Sequence, residues 1–449
     1  MAEIAPFRGL RYNLDKVQAM SKVVTPPYDV ISPGEQELFH EASPYNMVHL
    51  ELGKATPQDS KENNPHTRAA HYLKKWQEEE ALVHDSEPAI YYYELEYSLT
   101  PERRQKRYGF ICLLRLEDFR TGSVRPHERT FQAVKDERLQ LMLACDANLS
   151  PVFALYADPD QVIDERLKTE AQSLPVLHFR DERGMEHRLW PVRDMGILKK
   201  VRDFLLDKQI FIADGHHRYE TALTYRTLQR ERFPGMGPRA PFEYIMVYLA
   251  NMDQEGLAIL PTHRLLRRLE SWEPHSFLQK AEKFFDISSY DASEAGETAW
   301  RQDLDAGSAR KEVAIGFYYQ GSEMLYLLKP RKKESSAFLF DLGFPSVFHQ
   351  LDVVVLDQLI LRHSLDLSDK FLTNDKNILF NHDLTEALSK IRTGSCEAGF
   401  LINPTRMEQV QEVAGAGLVM PHKSTYFYPK VLSGLAIHHP LTGKQEVLW

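Results

Sequence analysis

Cysteine is scarce in this sequence. Cys112, Cys145 and Cys396 lie far apart in 449 residues and form no C-x-x-C, so neither a disulfide framework nor a zinc knuckle is indicated, and a reducing compartment fits. Long apolar runs are missing too. No stretch of about 18 apolar residues occurs, and no membrane span is expected. The opening residues, Met1 to Arg8, carry no apolar h-region and do not read as a secretory signal, so a cytoplasmic location is expected. Positive charge is in deficit. The 55 Lys and Arg against 64 Asp and Glu leave a net charge of −9, a poor balance for neutralising a nucleic-acid backbone, though a small anion needs only a local basic cluster. There is no internal repeat, no long low-complexity linker and no Gly-rich phosphate loop of the Walker type, so neither a repeat architecture nor a P-loop is indicated.

What is present is a globular composition, with 43% hydrophobic and 27% charged residues, in a chain long enough for two or three domains. Alternating apolar runs predict hairpins over 90–119, 176–190 and 313–328. Their turns fall at Pro101 to Lys106, Asp181 to Gly184 and near Gln320. Further strands are predicted over 152–156 and 209–213. Helical patterns cover 68–82, 136–143, 219–232, 347–363, 386–392 and 407–413, and 56–67 reads as a polar loop. Hairpins outnumber βαβ units, so the expected fold class is α+β, with mixed and antiparallel sheets and flanking helices. Soft breaks near 200 and 335 give an N-terminal α+β lobe (1–200), a middle segment (201–335) and a C-terminal α/β segment (336–449), with the lobes interleaved.

The richest local chemistry is Ala213-Asp214-Gly215-His216-His217-Arg218, between a buried strand and a helix. Asp is a favoured helix cap, Gly allows a tight turn and close approach to the backbone, and first-turn amides attract anions. His216, His217 and Arg218 add donors there, and Arg can grip a phosphate with two parallel bonds. The plain alternative is a capping Asp followed by surface polar residues. A zinc site is disfavoured, because adjacent histidines on a helix point apart and H-E-x-x-H spacing is absent.

Other polar clusters are ambiguous alone. His127-Glu128-Arg129-Thr130 offers a base or a solvated loop, and the helix after it carries Arg138 on what reads as its wet side. Asn148-Leu149-Ser150-Pro151 follows. Lys423, Ser424, Thr425 and Lys430 could hold a polyphosphate, or belong to an aromatic-rich edge strand with solvent lysines. Asp29, in Pro26-Pro27-Tyr28-Asp29-Val30, is a metal or substrate contact or a turn residue. Pro261-Thr262-His263-Arg264 is a similar polar cluster after an apolar run, or the start of a helix.

Taken in order, P-P-Y-D-V, H-E-R-T, N-L-S-P, A-D-G-H-H-R, P-T-H-R and K-S-T-Y-F-Y-P-K resemble a bacterial family catalogued as a domain of unknown function, from about residue 6 to the end. The D-G-H-H-R turn also resembles the signature turn of the ParB/sulfiredoxin superfamily, so the resemblance implies a ParB-like core around 201–335. The family is similar to pyrophosphate-dependent L-serine kinases. It therefore implies a phosphotransferase making O-phospho-L-serine from free L-serine, with small-molecule partners, no nucleic acid and no membrane. The catalytic set it implies is Glu128 as base with Asp214, His216, His217 and Arg218. Asp29 and Glu51 are alternatives for the base, since Glu128 to Asp214 is a long interval. Motif by motif, the expected substrate and phosphate contacts are Asp29, then His127 and Thr130, then Ser150 and Gly215, then His263 and Arg264. Lys423, Ser424, Thr425 and Lys430 complete them. Asp214 is the expected magnesium ligand, since magnesium usually bridges phosphates. Two other classes stay open: a ParB-like nucleotide- or nucleic-acid-binding protein without kinase activity, and a metal-dependent hydrolase using His127, His216, His217 and Asp214.

Overall fold

The computed structural model describes residues 1–100, 103–270, 272–374, 376–440 and 447. The chain forms two compact units. The first takes 1–126, 130–258 and the chain from Pro429 onward, and the second takes 127–129 and 259–428. The soft breaks read near 200 and 335 fall within the helices Met195–Leu205 and Lys332–Asp341.

The first unit is built on a mixed nine-stranded sheet. Its order is Val124–Arg125, Ile210–Asp214, Val152–Tyr156, Tyr244–Asn251, Arg103–Arg115, Ile90–Thr100, Glu186–Val192 and Leu177–Arg180, with Ile4–Ala5 on Arg103–Arg115. Ile210–Asp214 runs parallel to Val124–Arg125 and antiparallel to Val152–Tyr156, while the pairs from Tyr244–Asn251 to the Leu177–Arg180 edge are antiparallel. Val152–Tyr156 and Tyr244–Asn251 are buried along their whole length, and the second of them is not among the strands expected from the sequence. Helices cover the sheet through apolar stripes. Met195–Leu205 buries Leu198, Val201 and Leu205 at helical spacing, and Asp194 caps it by accepting the Ile197 amide at 2.8 Å. Each such aliphatic side chain contributes about 1.5–3 kcal/mol on burial.

The second unit holds a six-stranded sheet in the order Phe285–Asp291, Met324–Pro330, Ile315–Tyr319, Ala398–Ile402, His263–Leu266 and Ile378–Asn381, with antiparallel pairing throughout. The α+β class with mixed and antiparallel sheets is therefore what the chain adopts. Three local readings need correction. The helix read from Arg68 spans Pro65–Glu78, because Asn64 caps it through the His66 and Thr67 amides and Pro65 needs no donor at the first position. The single helix read over 347–363 is broken into the short turn Ser346–Phe348, one α-turn at Asp352–Val355 and a π-helical stretch Leu356–Ser364. Pro261 to Arg264 opens the strand His263–Leu266 rather than a helix. In the expected turn over 101–106, Pro101 and Glu102 lie outside the described residues, and Arg103 to Lys106 already belong to the strand Arg103–Arg115.

Candidate functional site

In the first unit the site begins where the strand Ile210–Asp214 ends. Its register with Val152–Tyr156 shifts between Ile212 and Asp214, a bulge at the strand's exit. Gly215 follows at φ 86°, in the left-handed region, and the helix His216–Arg232 starts directly after it. A Cβ on Gly215 would lie 2.8 Å from Arg218 Nε, so glycine is required by the backbone and again by the side chain folded over it. Asp214 does not cap the helix as read from sequence. Gly215 holds the cap position without any side-chain bond, and the Asp214 carboxylate joins two cations instead. Its Oδ2 accepts from Arg218 Nη2 at 2.7 Å and its Oδ1 accepts from Lys430 Nζ.

These three side chains are only 9–11% exposed, so their charges interact with little screening by water. Burial pushes the Asp214 carboxyl up, but Lys430 and Arg218 outweigh it and hold the group below the ordinary aspartate range. Arg218 Nη1 donates to Ser150 Oγ at 3.2 Å and to the Pro151 carbonyl. Lys430 is thus a buried ion-pair partner, not one of the solvent lysines of an edge strand. His216 is buried, with Asp214 feeling its charge. His217 is engaged elsewhere: its Nε2 accepts from the Phe131 amide at 3.0 Å. The adjacent histidines therefore serve different neighbours, as their angular separation on a helix requires. Thr130 donates to Glu220 at 2.9 Å.

A second layer surrounds Arg218. Glu51 ends the short helix Val48–Glu51 and is 3% exposed. Burial raises its carboxyl above the ordinary range despite the opposing pull of Arg138, Arg218 and Ser150. Arg138 is not on a wet face. It is buried, donates to the Glu51 carbonyl at 2.9 Å and lies 4.1 Å from the centre of the Tyr28 ring. Asp29 is exposed in the turn Tyr28–Val30, and its charge reaches Tyr28 and Glu51. A cavity of about 40 Å³, lined among others by Tyr28, Glu51, Arg138, Ser150 and Arg218, has room for about one water. Arg138 is the member of this layer that sequence missed as a site residue. Its helix carries a weak apolar stripe, and nothing local distinguishes a buried guanidinium from a solvated one.

The remaining candidates gather in the second unit. His127 Nε2 lies 2.8 Å from Thr425 Oγ1. Glu128 Oε1 accepts the Lys423 amide at 2.7 Å and lies 2.9 Å from His422 Nδ1. Ser424 donates to the Pro421 carbonyl at 2.6 Å. Arg264 is buried among backbone carbonyls, donating to Lys423 O at 2.9 Å and also to Thr262 O. Burial pulls it down to about 10, so it keeps its charge at neutral pH. His263 is pushed down to about 3 by burial and by His382 and Arg264, and it accepts the Ile402 amide at 3.2 Å. Arg264 thus pins the loop carrying Lys423, and neutral His263 ties together two strands of the sheet.

Both Asp214 oxygens are engaged by cations. Among the described residues, no group of three or more His, Cys, Asp and Glu side chains is arranged to hold a metal ion. The donor set as arranged therefore does not fit a magnesium ion resident on Asp214. Among the described residues, no helix is long and apolar enough to cross a membrane.

A family profile described as "Protein of unknown function (DUF1015)" matches residues 4–354. No curated protein is significantly similar to the chain. Among solved structures, a conserved hypothetical protein from Pyrococcus furiosus aligns at 10% identity and TM-score 0.33, covering 72% of this chain and 92% of its own. A free serine kinase in complex with AMP aligns at 11% identity and TM-score 0.34, over 71% and 86% of the two chains. SbnI with C-terminal truncation from Staphylococcus aureus aligns at 10% and 0.33, over 73% and 87%. Likeness of this degree decides nothing about activity.

Proposed function

The chain belongs to the DUF1015 family of proteins of unknown function, and on that footing we propose that it is a phosphotransferase making O-phospho-L-serine from free L-serine, with pyrophosphate as the phosphoryl donor. The observation that carries the reading is the convergence of Arg218 and Lys430 on Asp214 at a glycine-opened helix N-terminus. Acceptor and donor come from the motif resemblance, which also implies the ParB/sulfiredoxin-like core as part of this proposal. Phosphoryl transfer asks little covalent chemistry of a protein. It needs positive charge on the moving group and its leaving oxygen, and a base for the attacking hydroxyl.

The first unit offers both. The first-turn amides after Gly215, with Arg218 and Lys430, attract the donor's phosphates. Asp214 fixes the two cations in place and is displaced from them in part as phosphate oxygens arrive. Glu51 takes the proton of the serine hydroxyl as the Oγ–P bond forms and the bridging P–O bond of pyrophosphate breaks. Orthophosphate leaves with its charge held by Arg218 and Lys430. A carboxyl raised above its ordinary range is a stronger proton acceptor than a solvated glutamate, which favours Glu51 for this task. A magnesium ion arriving with pyrophosphate is part of the substrate in this reading.

Phosphorus NMR of the full chain with L-serine, magnesium and pyrophosphate, with parallel samples holding ATP or ADP, tests the reading. A phosphoserine signal with pyrophosphate is the expected result. A signal only with a nucleotide rejects the donor, and no phosphoserine in any sample of folded protein rejects the kinase. Arg218→Ala should slow transfer by about a hundredfold or more with the fold intact, since Lys430 still compensates Asp214.

A further inference from the structure

An apolar cavity of the first unit lies apart from these charges. It measures about 250 Å³ and is walled by Leu116, Ala222, Phe233, Met236, Phe242 and Tyr244. A dry apolar cavity of about 150 Å³ is enough to hold benzene, so this one has room for a bicyclic ring but falls short of the usual range for a drug-sized ligand. It shares Met142, Ala147 and Asn148 with the small cavity beside Arg218, but none of the charged groups assigned to transfer.

Its polar groups are few, and most are engaged. Asp146 accepts the Tyr225 hydroxyl. Asn148 Oδ1 accepts the Met246 amide at 2.9 Å and lies 3.3 Å from His438 Nδ1. Burial pushes His438 down to about 3, so it is neutral at physiological pH. The exception is Gln229. It is 6% exposed, and its side-chain oxygen is buried without a hydrogen-bond partner among the described residues. An acceptor left that way carries an uncompensated desolvation cost, which a ligand donor would recover.

The lining also selects against anions. It contains no Lys or Arg among the described residues, and its acid is Asp146. Asp146 follows the C-terminal end of the helix Gln132–Cys145, and Gln229 sits in the last turn of His216–Arg232, so two negative dipole ends face the cavity's edge. Inside the cavity a cation is disfavoured by the apolar walls, because Asp146 is exposed at the edge and already accepts the Tyr225 hydroxyl, and the buried acceptor on offer is a neutral amide.

We propose that this cavity is a second small-molecule site, which takes an uncharged heteroaromatic ring and receives its ring N–H on the Gln229 side-chain oxygen. The ring comes free rather than as the base of a nucleotide, whose phosphates would meet no counter-charge here.

Calorimetric titration of the full chain with indole, benzofuran and AMP tests this. Benzofuran keeps the shape of indole and lacks its N–H. Saturable binding of indole is expected, with benzofuran about five- to tenfold weaker and AMP not competing with indole. In Gln229→Leu, indole should fall to the benzofuran level while benzofuran is unchanged. Equal affinity of the native chain for indole and benzofuran, the absence of saturable indole binding, or AMP displacing indole would each overturn the proposal. The native-chain comparison decides even where the variant fails to fold. The phosphoserine assay, run without any ring compound, stands or falls separately.

Discussion

At Asp214 one buried carboxylate serves two cations, and removing its charge takes that counter-charge away from both. Breaking a buried pair of this kind costs about 3–5 kcal/mol. Asp214→Asn should therefore lower the urea midpoint markedly at pH 7, and a variant as stable as the native chain would show that the pairing contributes little. The same carboxyl titrates below the ordinary aspartate range. Its contribution is fully present above the unfolded-state value, near pH 4, and is lost as pH falls through the lower folded value. Glu51 has the opposite sign. Its folded value is raised, so the folded state holds the proton more tightly, and ionising the group as pH rises costs stability. Glu51→Gln should thus raise the urea midpoint at pH 7 while lowering the transfer rate. In the native chain the acid limb of the rate profile should lie above that of an ordinary glutamate. A variant that loses stability and keeps its rate would remove Glu51 from the mechanism.

The strand–glycine–helix junction is the element on which the charges depend. Gly215 at φ 86° needs a residue tolerant of the left-handed region, and a Cβ there would collide with Arg218. Gly215→Ala should cost about 1–2 kcal/mol from backbone conformation alone and move the guanidinium off Asp214. The expected outcome is a transfer rate reduced more than stability is. Equal retention of rate by Gly215→Ala would show that the close approach has no functional part. Much of this junction was legible. The buried strand, the permissive glycine and the helix follow from Gln209 to Arg232 read locally. What was not legible is the cap: Asp before Gly reads as a helix cap, yet the bulge between Ile212 and Asp214 puts the carboxylate at the strand's end, where it meets Lys430.

At the scale of the whole chain, the segment from Pro429 returns to the first unit. It brings Lys430 to Asp214, and it pairs Ser433 with Thr25, Ile437 with Leu10 and His438 with Asn148 through six backbone hydrogen bonds. A chain ending at Tyr428 should lose amide-exchange protection at Leu10, Thr25 and Asn148 first, along with transfer activity. Full protection at those three amides would show that the first unit is already complete without the return segment. No composition shift marks this return, since K-S-T-Y-F-Y-P-K reads as one motif although its two ends belong to different units.

The sequence by itself determined the α+β class, the main hairpins and the strand-to-helix turn at 209–219. Each of these rests on interactions between residues a few positions apart, through alternation, helical spacing and turn chemistry. Only the tertiary structure decided that Arg138 is buried, that His217 accepts from Phe131, and that the motif residues divide between two units. It also decided that Asp214 answers to Lys430. These depend on groups 86 to 216 positions apart, and burial, which gives such charges their strength, is a property of the packed chain rather than of any stretch of it.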